Sequence, residues 1–432
     1  MQAICRSLLP VLLSASFLCP VPVAAEVTKV EIRKNEAGEF SLIRNGQPYV
    51  IRGAGGSGHL NDLVKFGGNS IRTWGGDSLD FKIEGKPLLD VCQELGISVT
   101  AGIWIAHQRH GFDYSDTAQV EKQRTLVRET VRKHRGHPAI LMWGLGNEME
   151  GPSSDGNDPR VWKELNVLAA IVKEEDPAHP VMTVIAGAAE SKVKGILEHY
   201  PNIDVLGVNA YSGASGAARA VKAAGWKKPF VLTEFGPQGH WEVPKTSWGA
   251  PVEPTSQKKA ASYYAAQSLL ADDKDICLGS YVFLWGQKQE VTSTWYGMFL
   301  RSGEKLPTVD AMCRAWTGKW PDNRSPRVTA FDSPLREATV APGQSVTASV
   351  TVTDPENDTL AWEWAVIEES SDKKEGGDAE AVPPAVKGAV TASANGSATI
   401  RTPDKPGAYR LFVTVRDGKG GASADNIPFQ VR

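Results

Sequence analysis

Two glutamates of the sequence each follow an apolar run of residues. Glu148 ends the tripeptide Gly-Asn-Glu at 146–148, and Glu234 lies in the tetrapeptide Thr-Glu-Phe-Gly at 233–236. Two carboxylates that meet in one site can divide acid–base chemistry between them, since one transfers a proton while the other attacks or stabilises positive charge. Whether they meet depends on the elements that carry them.

Other side chains that could hydrogen-bond to a ligand or stack on it also lie at the ends of apolar runs. Arginine and asparagine there can hold a carboxylate or a hydroxyl group, and an aromatic ring can stack on an apolar face. The candidates for such contacts with a substrate are Arg72, Trp74, His107, Asn147, Asn209, Tyr211, Trp241 and Trp285. For His107, Tyr211 and Trp241, a purely structural role is an open alternative.

Eight continuous apolar runs alternate with amphipathic helical patterns between about residues 47 and 320. Runs of this kind are typical of parallel strands that are buried on both faces. We therefore predict a (β/α)₈ barrel, whose catalytic groups sit at the carboxyl ends of the strands. The predicted strands are Val50–Gly53, Ser70–Thr73, Ser98–Ile105, Ile140–Leu145, Val181–Ala186, Val205–Tyr211, Phe230–Phe235 and Ser280–Leu284.

A doubly wound sheet is the competing fold. It would carry the glycine pattern G-x-G-x-x-G after the first strand, and glycines do stand at 53, 55, 56 and 58. Eight strand–helix repeats over roughly 270 residues match the usual size of a closed barrel and favour that fold. Before the barrel, residues 27–46 predict a small hairpin that closes its bottom, with Asn45-Gly46 as the turn.

On a barrel of eight strands, Glu148 and Glu234 would end the fourth and seventh strands, on opposite sides of the mouth. Cleavage of a glycosidic bond with retention of configuration needs such a pair, with carboxyl groups about 5–5.5 Å apart. One carboxylic acid protonates the leaving oxygen, and the other carboxylate attacks the anomeric carbon.

These motifs resemble those of the glycoside hydrolase clan A barrels, which include family 5 and the catalytic barrel of family 2. The resemblance covers roughly residues 40–320. It departs from family 2 in that the sandwich domains that precede a family-2 barrel are missing.

The resemblance implies a role for several residues. Glu148 would be the acid/base and Glu234 the nucleophile, and Asn147 would bond the substrate 2-hydroxyl. Among the supporting residues, Arg72 and Tyr211 would hold the nucleophile, and Trp285 would form the floor under the reacting sugar.

The function that follows is a retaining β-glycoside hydrolase or transglycosidase, acting on an oligo- or polysaccharide of the β-glucan or β-mannan type. The alternative is a non-catalytic carbohydrate-binding protein on a decayed barrel. We expect no cofactor and no catalytic metal, since His107 and His110 do not form the paired-histidine pattern of a metal site.

The composition changes near residue 321, where a proline-rich linker begins. Residues 321–432 alternate as half-buried strands and predict a small immunoglobulin-like β-sandwich, similar to cadherin-like or polycystic-kidney-disease-like modules. We expect this domain to fold separately and to be dispensable for chemistry, with residues 368–380 as an exposed mobile loop. The domain also contains a cluster of acidic residues, for which calcium binding and an acidic turn without metal are both open. The cluster comprises Asp354, Glu356, Asn357, Asp358 and Asp417.

Residues 1–25 read as a signal peptide, with Arg6 before an apolar run and small residues at 23–25. We therefore expect a secreted or periplasmic protein, without a membrane span and monomeric. The net charge of −3 gives no basic field for nucleic acid.

Three cysteines lie outside the expected signal peptide. Cys92 fits a buried helical position, whereas Cys277 and Cys313 could form a bridge.

Overall fold

The structure is a computed structural model that describes residues 28–150, 158–374 and 376–432. The expected signal peptide lies outside the described residues. The first described element is an antiparallel sheet of three strands, β1 (Val30–Lys34), β2 (Phe40–Arg44) and β3 (Gln47–Tyr49), rather than the two-stranded hairpin we expected. Val30 and Leu42 pack against the apolar residues inside the barrel, so this sheet covers the bottom of the barrel.

Eight parallel strands close into a barrel, which confirms the predicted fold. The order around the barrel is β10, β11, β12, β13, β4, β5, β8 and β9, and a short hairpin of β6 and β7 lies outside it. The observed strand limits differ from the predicted ones by up to three residues, and the difference is largest for the eighth strand. The strands in chain order are β4 (Ile51–Gly55), β5 (Ser70–Arg72), β6 (Lys82–Ile83), β7 (Lys86–Pro87), β8 (Ser98–Ile103), β9 (Ile140–Leu145), β10 (Val181–Ala186), β11 (Val205–Asn209), β12 (Phe230–Phe235) and β13 (Cys277–Val282).

Helices surround the barrel, and their apolar faces pack on the outer side of the strands. The helix that begins at Pro159 shows why these segments fold as they do: the Asp158 side chain caps its first turn, and proline suits the first helical position. The helices are α1 (Leu60–Lys65), α2 (Leu88–Glu94), α3 (Thr117–His134), α4 (Pro159–Glu175), α5 (Glu190–His199), α6 (Ala217–Ala223), α7 (Ser256–Leu270) and α8 (Pro307–Thr317).

None of the helices in the described part of the chain is long and apolar enough to cross a membrane. The three cysteines there are unbridged, so Cys277 and Cys313 do not form the bridge considered above. Cys92 is fully buried in α2, and burial raises the pKa of its thiol to about 12.

The C-terminal region forms two four-stranded sheets around a second apolar core, as a β-sandwich requires. One sheet has the order β14-β16-β19-β18 and the other the order β15-β21-β20-β17. The immunoglobulin-like character of this sandwich stays a prediction. Its strands are β14 (Arg327–Asp332), β15 (Thr339–Val340), β16 (Ser345–Thr353), β17 (Ala361–Glu368), β18 (Val390–Ala394), β19 (Ser397–Arg401), β20 (Gly407–Arg416) and β21 (Ala422–Val431).

The acidic turn of the sandwich brings the carboxylates of Asp354, Asp358 and Asp417 within 4.8 Å of one another. Asp354 Oδ1 accepts the backbone N–H groups of Glu356 and Asp358, and Asp417 Oδ1 accepts that of Gly421.

Buried polar groups join the sandwich to the barrel, which is not what we expected of a separately folding domain. Arg410 is 2% exposed, forms two bonds of 2.6 and 3.0 Å to the carboxylate of Glu369, and donates to the carbonyl of Pro251 at 2.7 Å. On the barrel side, the Ser256 N–H donates to Asp425 Oδ1 at 2.7 Å. Truncation at this boundary would leave such groups without partners.

We predict that Arg410→Ala lowers the free energy of unfolding by about 3–5 kcal/mol, because it removes both bonds to the buried Glu369 carboxylate and leaves it with the ion pair to Lys373 at 3.6 Å. Urea unfolding followed by tryptophan fluorescence measures this change. The matched control is Arg401→Ala, which removes an exposed ion pair with Asp404 and should cost less than about 1 kcal/mol. Equal effects of the two substitutions would contradict the structural role of Arg410.

Candidate active site

Glu148 occupies a strained turn that follows the fourth barrel strand. Gly146 has φ 72° and Glu148 has φ 52°, a left-handed conformation that few residues other than glycine adopt. The Glu148 N–H donates to the Val184 carbonyl at 3.0 Å, which ties the turn to the neighbouring strand β10. Strain of this kind is maintained only where the surrounding structure supports it, and it often marks a functional position.

Glu234 ends the seventh strand and is 5% exposed. Its Oε1 accepts two bonds of 2.9 Å, from the guanidinium of Arg72 and from the indole N–H of Trp74, and Tyr211 donates to its Oε2 at 3.2 Å. Three donors, one of them a cation, stabilise the ionised form of a carboxylate. The predicted support from Arg72 and Tyr211 is therefore present, and Trp74 adds a third donor rather than a free substrate contact.

A chain of hydrogen bonds connects Glu234 to Glu148 through Arg72, Asn147 and Asn209. Arg72 donates to Asn147 Oδ1 at 2.7 Å, and Asn209 Nδ2 donates to Asn147 Oδ1 at 3.1 Å and to Glu148 Oε1 at 2.8 Å. A guanidinium can only donate, so the oxygen of Asn147 faces Arg72 and its amide nitrogen points away. That nitrogen remains available for a substrate hydroxyl.

The carboxyl group of Glu148 keeps its proton to a higher pH than an ordinary glutamate does. The pKa of Glu148 is raised to about 7, first by burial and then by the negative charge of Glu234. The bond from Asn209 opposes this rise. Burial, with the charge of Glu234, also raises the pKa of Tyr211 well above its usual value, so its hydroxyl stays protonated and keeps donating.

His107 lies beside the turn that carries Glu148, as a neutral imidazole. Burial, together with the positive charge of Arg109, lowers its pKa to about 4. Its ring packs on Trp104 at 5.1 Å, and Trp104 is 36% exposed. The side chain is 1% exposed and its Nε2 bonds no group within the described residues, so it can accept from a donor that enters the mouth.

Aromatic rings line the opposite side of the site. Phe283 packs edge-on against Trp74 at 6.0 Å and Tyr211 at 6.2 Å, and Tyr296 lies 5.5 Å from the Tyr211 ring. Sequence reasoning missed Phe283, although it lies inside the predicted eighth strand, and Tyr296, which lies in a loop without a pattern. Beyond them, Trp241 is 56% exposed beside Tyr211, where a ring can stack on a ligand.

Trp285 does not form the floor of the site, so that prediction is wrong. It is 1% exposed, and its ring packs against Phe299 and Trp316 at 5.2 and 5.9 Å, which belong to the core outside the barrel. Its side chain therefore supports α8 instead of a substrate. Glu150, two residues after Glu148, is also buried, and it pairs with Lys192 at 2.8 Å.

Residues 86–274 match the model of a family described as "Glycosyl hydrolases family 2, TIM barrel domain". This match supports the clan A resemblance. Among curated proteins, the chain is 26% identical to a β-glucuronidase of Sus scrofa over 199 residues, 42% of this chain and 28% of the relative. It is 23% identical to a β-galactosidase of Vibrio vulnificus over 234 residues, 49% of this chain and 21% of the relative.

Solved structures share the fold. A β-glucuronidase of Bacteroides uniformis superposes with a TM-score of 0.50 at 16% identity, covering 93% of this chain and 48% of that one. A Bifidobacterium dentium β-glucuronidase, complexed with coumarin-3-O-glucuronide, gives 0.51 at 17% identity, with 68% and 50% covered. The chain thus spans less than a third of these curated relatives and about half of these solved proteins.

We predict that Glu234→Gln lowers the pKa of Glu148 from about 7 toward its ordinary value of 4.5, because the second largest cause of the rise is removed. Carbon-13 NMR of labelled glutamate carboxyl groups measures the shift. Glu36→Gln, an exposed glutamate between β1 and β2, is the control. An unchanged Glu148 titration in the Glu234 variant would contradict the coupling.

Proposed function

We propose that the protein is a retaining β-glycosidase, with Glu148 as acid/base and Glu234 as nucleophile. The observation that carries the proposal is the hydrogen-bond chain that joins two buried carboxyl groups at the mouth of the barrel, in which Arg72, Trp74 and Tyr211 all donate to Glu234. Burial and the charge of Glu234 raise the pKa of Glu148, as a proton donor at neutral pH requires.

The reaction would take two steps. Ionised Glu234 attacks the anomeric carbon while Glu148 gives its proton to the leaving oxygen, and a covalent glycosyl ester forms on Glu234. Ester formation removes the charge of Glu234, which is the second cause of the raised pKa of Glu148. Glu148, a carboxylate since it gave up its proton in the first step, takes a proton from a water molecule or a sugar hydroxyl as that oxygen attacks the anomeric carbon, which breaks the ester to Glu234 and releases the glycosyl group with its original configuration.

A direct assay determines which class of sugar the protein hydrolyses. The relatives include β-glucuronidases and a β-galactosidase by name, and the β-glucan and β-mannan types remain our expectation from the sequence. A panel of aryl β-glycosides, with glucuronide, galactoside, glucoside and mannoside, covers all four. The leader-like residues 1–25 support the further proposal that the protein is exported.

We predict that the two carboxylate variants differ with the leaving group. Glu148→Gln should lower turnover about 10²–10⁴-fold on an alkyl glycoside, whose leaving oxygen needs a proton, and much less on an activated nitrophenyl glycoside. Glu234→Gln should abolish turnover of both, because no nucleophile remains. Initial rates, with circular dichroism as a folding check and Glu36→Gln as control, provide the test.

The pH profile belongs to the same experiment. Wild-type activity should fall as pH rises through about 7, where Glu148 loses its proton, and this basic limb should be missing in Glu148→Gln. Near-normal turnover by either carboxylate variant on the alkyl glycoside would overturn the assignment.

We also predict retention of configuration. Proton NMR of the first-formed sugar should show the β anomer, and mass spectrometry after an acid quench should find the glycosyl group on the peptide that contains Glu234. An α anomer that appears first would require a direct attack by water and would exclude the double displacement.

A further inference from the structure

The loop that follows β12 and the C-terminal domain enclose a cavity between them. Its volume is about 360 Å³, within the roughly 300–1,000 Å³ that is usual for sites of small ligands. Its wall comprises residues 248–250 of the barrel loop, residues 368–371 and 373 after β17, and residues 405–409 at the start of β20. These residues differ from those that hold Glu148 and Glu234, so the cavity is a separate feature of the molecule.

The wall after β17 belongs to residues 368–380, which we expected to form an exposed mobile loop. That expectation is wrong, because Ser370 is only 5% exposed and the Gly377 carbonyl accepts a bond of 2.7 Å from Lys288 of the barrel. Composition predicted an exposed loop from the polar residues here, whereas these residues find partners on the neighbouring domain.

One arginine holds the two walls of the cavity together. Arg410 donates to the carboxylate of Glu369 in the wall after β17, and its other terminal nitrogen atoms reach the Asn426 side chain and the Pro251 carbonyl of the barrel loop. A planar guanidinium with several fixed donors suits this kind of link between elements. The cavity is therefore a built part of the interface between the two domains.

A tight turn in the barrel loop places Trp248 in the cavity wall. The Gly249 N–H donates to the Thr246 carbonyl at 2.9 Å, and the Thr246 N–H donates to the Ala250 carbonyl at 2.9 Å. The Ala250 N–H bonds the Thr246 hydroxyl at 3.0 Å and closes the turn further. Trp248 thus contributes an indole ring, which has a flat apolar face and one donor.

Two buried polar atoms in this wall have no hydrogen-bond partner among the described residues. They are the indole nitrogen of Trp248 and the hydroxyl oxygen of Ser370. Buried polar groups are nearly always bonded, because a missing bond costs free energy. An indole N–H can only donate, whereas a serine hydroxyl can donate or accept. The hydroxyl groups of a ligand would satisfy both atoms.

The charges of the wall balance each other. The carboxylates are those of Glu368 and Glu369 and the ammonium groups those of Lys373 and Lys405, and Lys373 lies 3.6 Å from Glu369. Such a wall favours neither an anion nor a cation. A neutral ligand with many hydroxyl groups can donate to the carboxylates and accept from the ammonium groups, and a sugar also has an apolar face for the indole ring.

The cavity lies on the side of the barrel mouth that carries Trp241. Residues 236–255 form a single loop that contains both tryptophans, and the Trp241 ring packs on Tyr211 at 5.5 Å and on His240 at 4.8 Å. Burial, and then the positive charge of Lys373, lowers the pKa of His240 to about 4, so this lysine of the cavity wall lies near that ring.

We propose that this cavity is a second carbohydrate-binding site, which holds sugars of a neutral β-linked chain away from the bond that the barrel cleaves. The class of ligand rests on the proposed glycosidase function, which the inference deepens. The C-terminal domain then helps to hold a long substrate through Trp248 and Ser370, while the barrel performs the chemistry.

Isothermal titration calorimetry on the full-length protein tests the proposal. The probes are cellohexaose, laminarihexaose and mannohexaose, and the protein carries Glu234→Gln so that the chains are not cleaved. In this background, Trp248→Ala removes the ring, Trp248→Phe keeps a ring without the N–H donor, and Ser370→Ala removes the hydroxyl. The matched control is Trp320→Ala, at an exposed tryptophan outside the cavity.

We expect at least one hexasaccharide to bind, with an affinity that falls at least about tenfold in Trp248→Ala and about two- to tenfold in Trp248→Phe and Ser370→Ala. The affinity should not change in Trp320→Ala. With Glu234 restored, Trp248→Ala should lower kcat/KM on that hexasaccharide about tenfold relative to kcat/KM on the aryl glycoside of the same sugar, through a higher KM.

The proposal would be overturned if none of the three hexasaccharides binds, or if Trp320→Ala weakens binding as much as Trp248→Ala does. An unchanged affinity in a folded Trp248→Ala variant has the same meaning, and if that variant does not fold, an unchanged affinity in Ser370→Ala decides against the site. Binding that depends on Trp248, without turnover of any aryl glycoside by the wild type, would refute the glycosidase function and support the binding site.

Discussion

The pairing of Arg72 with Glu234 is the interaction on which the site depends. Both side chains are almost fully buried, with 2% and 5% of each residue exposed. A buried charge costs several kcal/mol unless a partner and hydrogen bonds compensate it, so neither residue is tolerable without the other. The pair joins β5 to β12, and Trp74 and Tyr211 complete the set of donors. The position of the nucleophile is therefore determined by two distant parts of the chain.

The same guanidinium organises the acid. Its second nitrogen orients the Asn147 amide, and Asn209 extends the bonds to Glu148. Burial, together with the charge that Arg72 stabilises on Glu234, keeps the proton on Glu148 near neutral pH. Arg72 thus positions the groups around both carboxylates, while burial and the charge of Glu234 raise the pKa of Glu148.

The C-terminal domain extends this arrangement beyond the barrel. Its buried Arg410 donates to the Pro251 carbonyl of the barrel, its Gly377 carbonyl accepts from Lys288, and Lys288 in turn lies against the ring of Phe283. Burial of polar groups at this interface stabilises the whole molecule only while both sides are present. Composition marks a boundary near residue 321, but it carries no information on how tightly the two parts are packed.

The sequence by itself determined the barrel, because eight apolar runs buried on both faces leave a strong local pattern, and it determined the residues at their carboxyl ends. Glu148, Glu234, Arg72 and Tyr211 could be placed at the mouth for this reason. Only the tertiary structure decided what each side chain contacts: Trp74 bonds the nucleophile, Trp285 faces the outer core, and a loop some 90 residues away in sequence bonds Lys288. A strand pattern specifies which residues reach the end of a strand, whereas the direction of a side chain there and the approach of a distant loop depend on contacts that no local pattern contains.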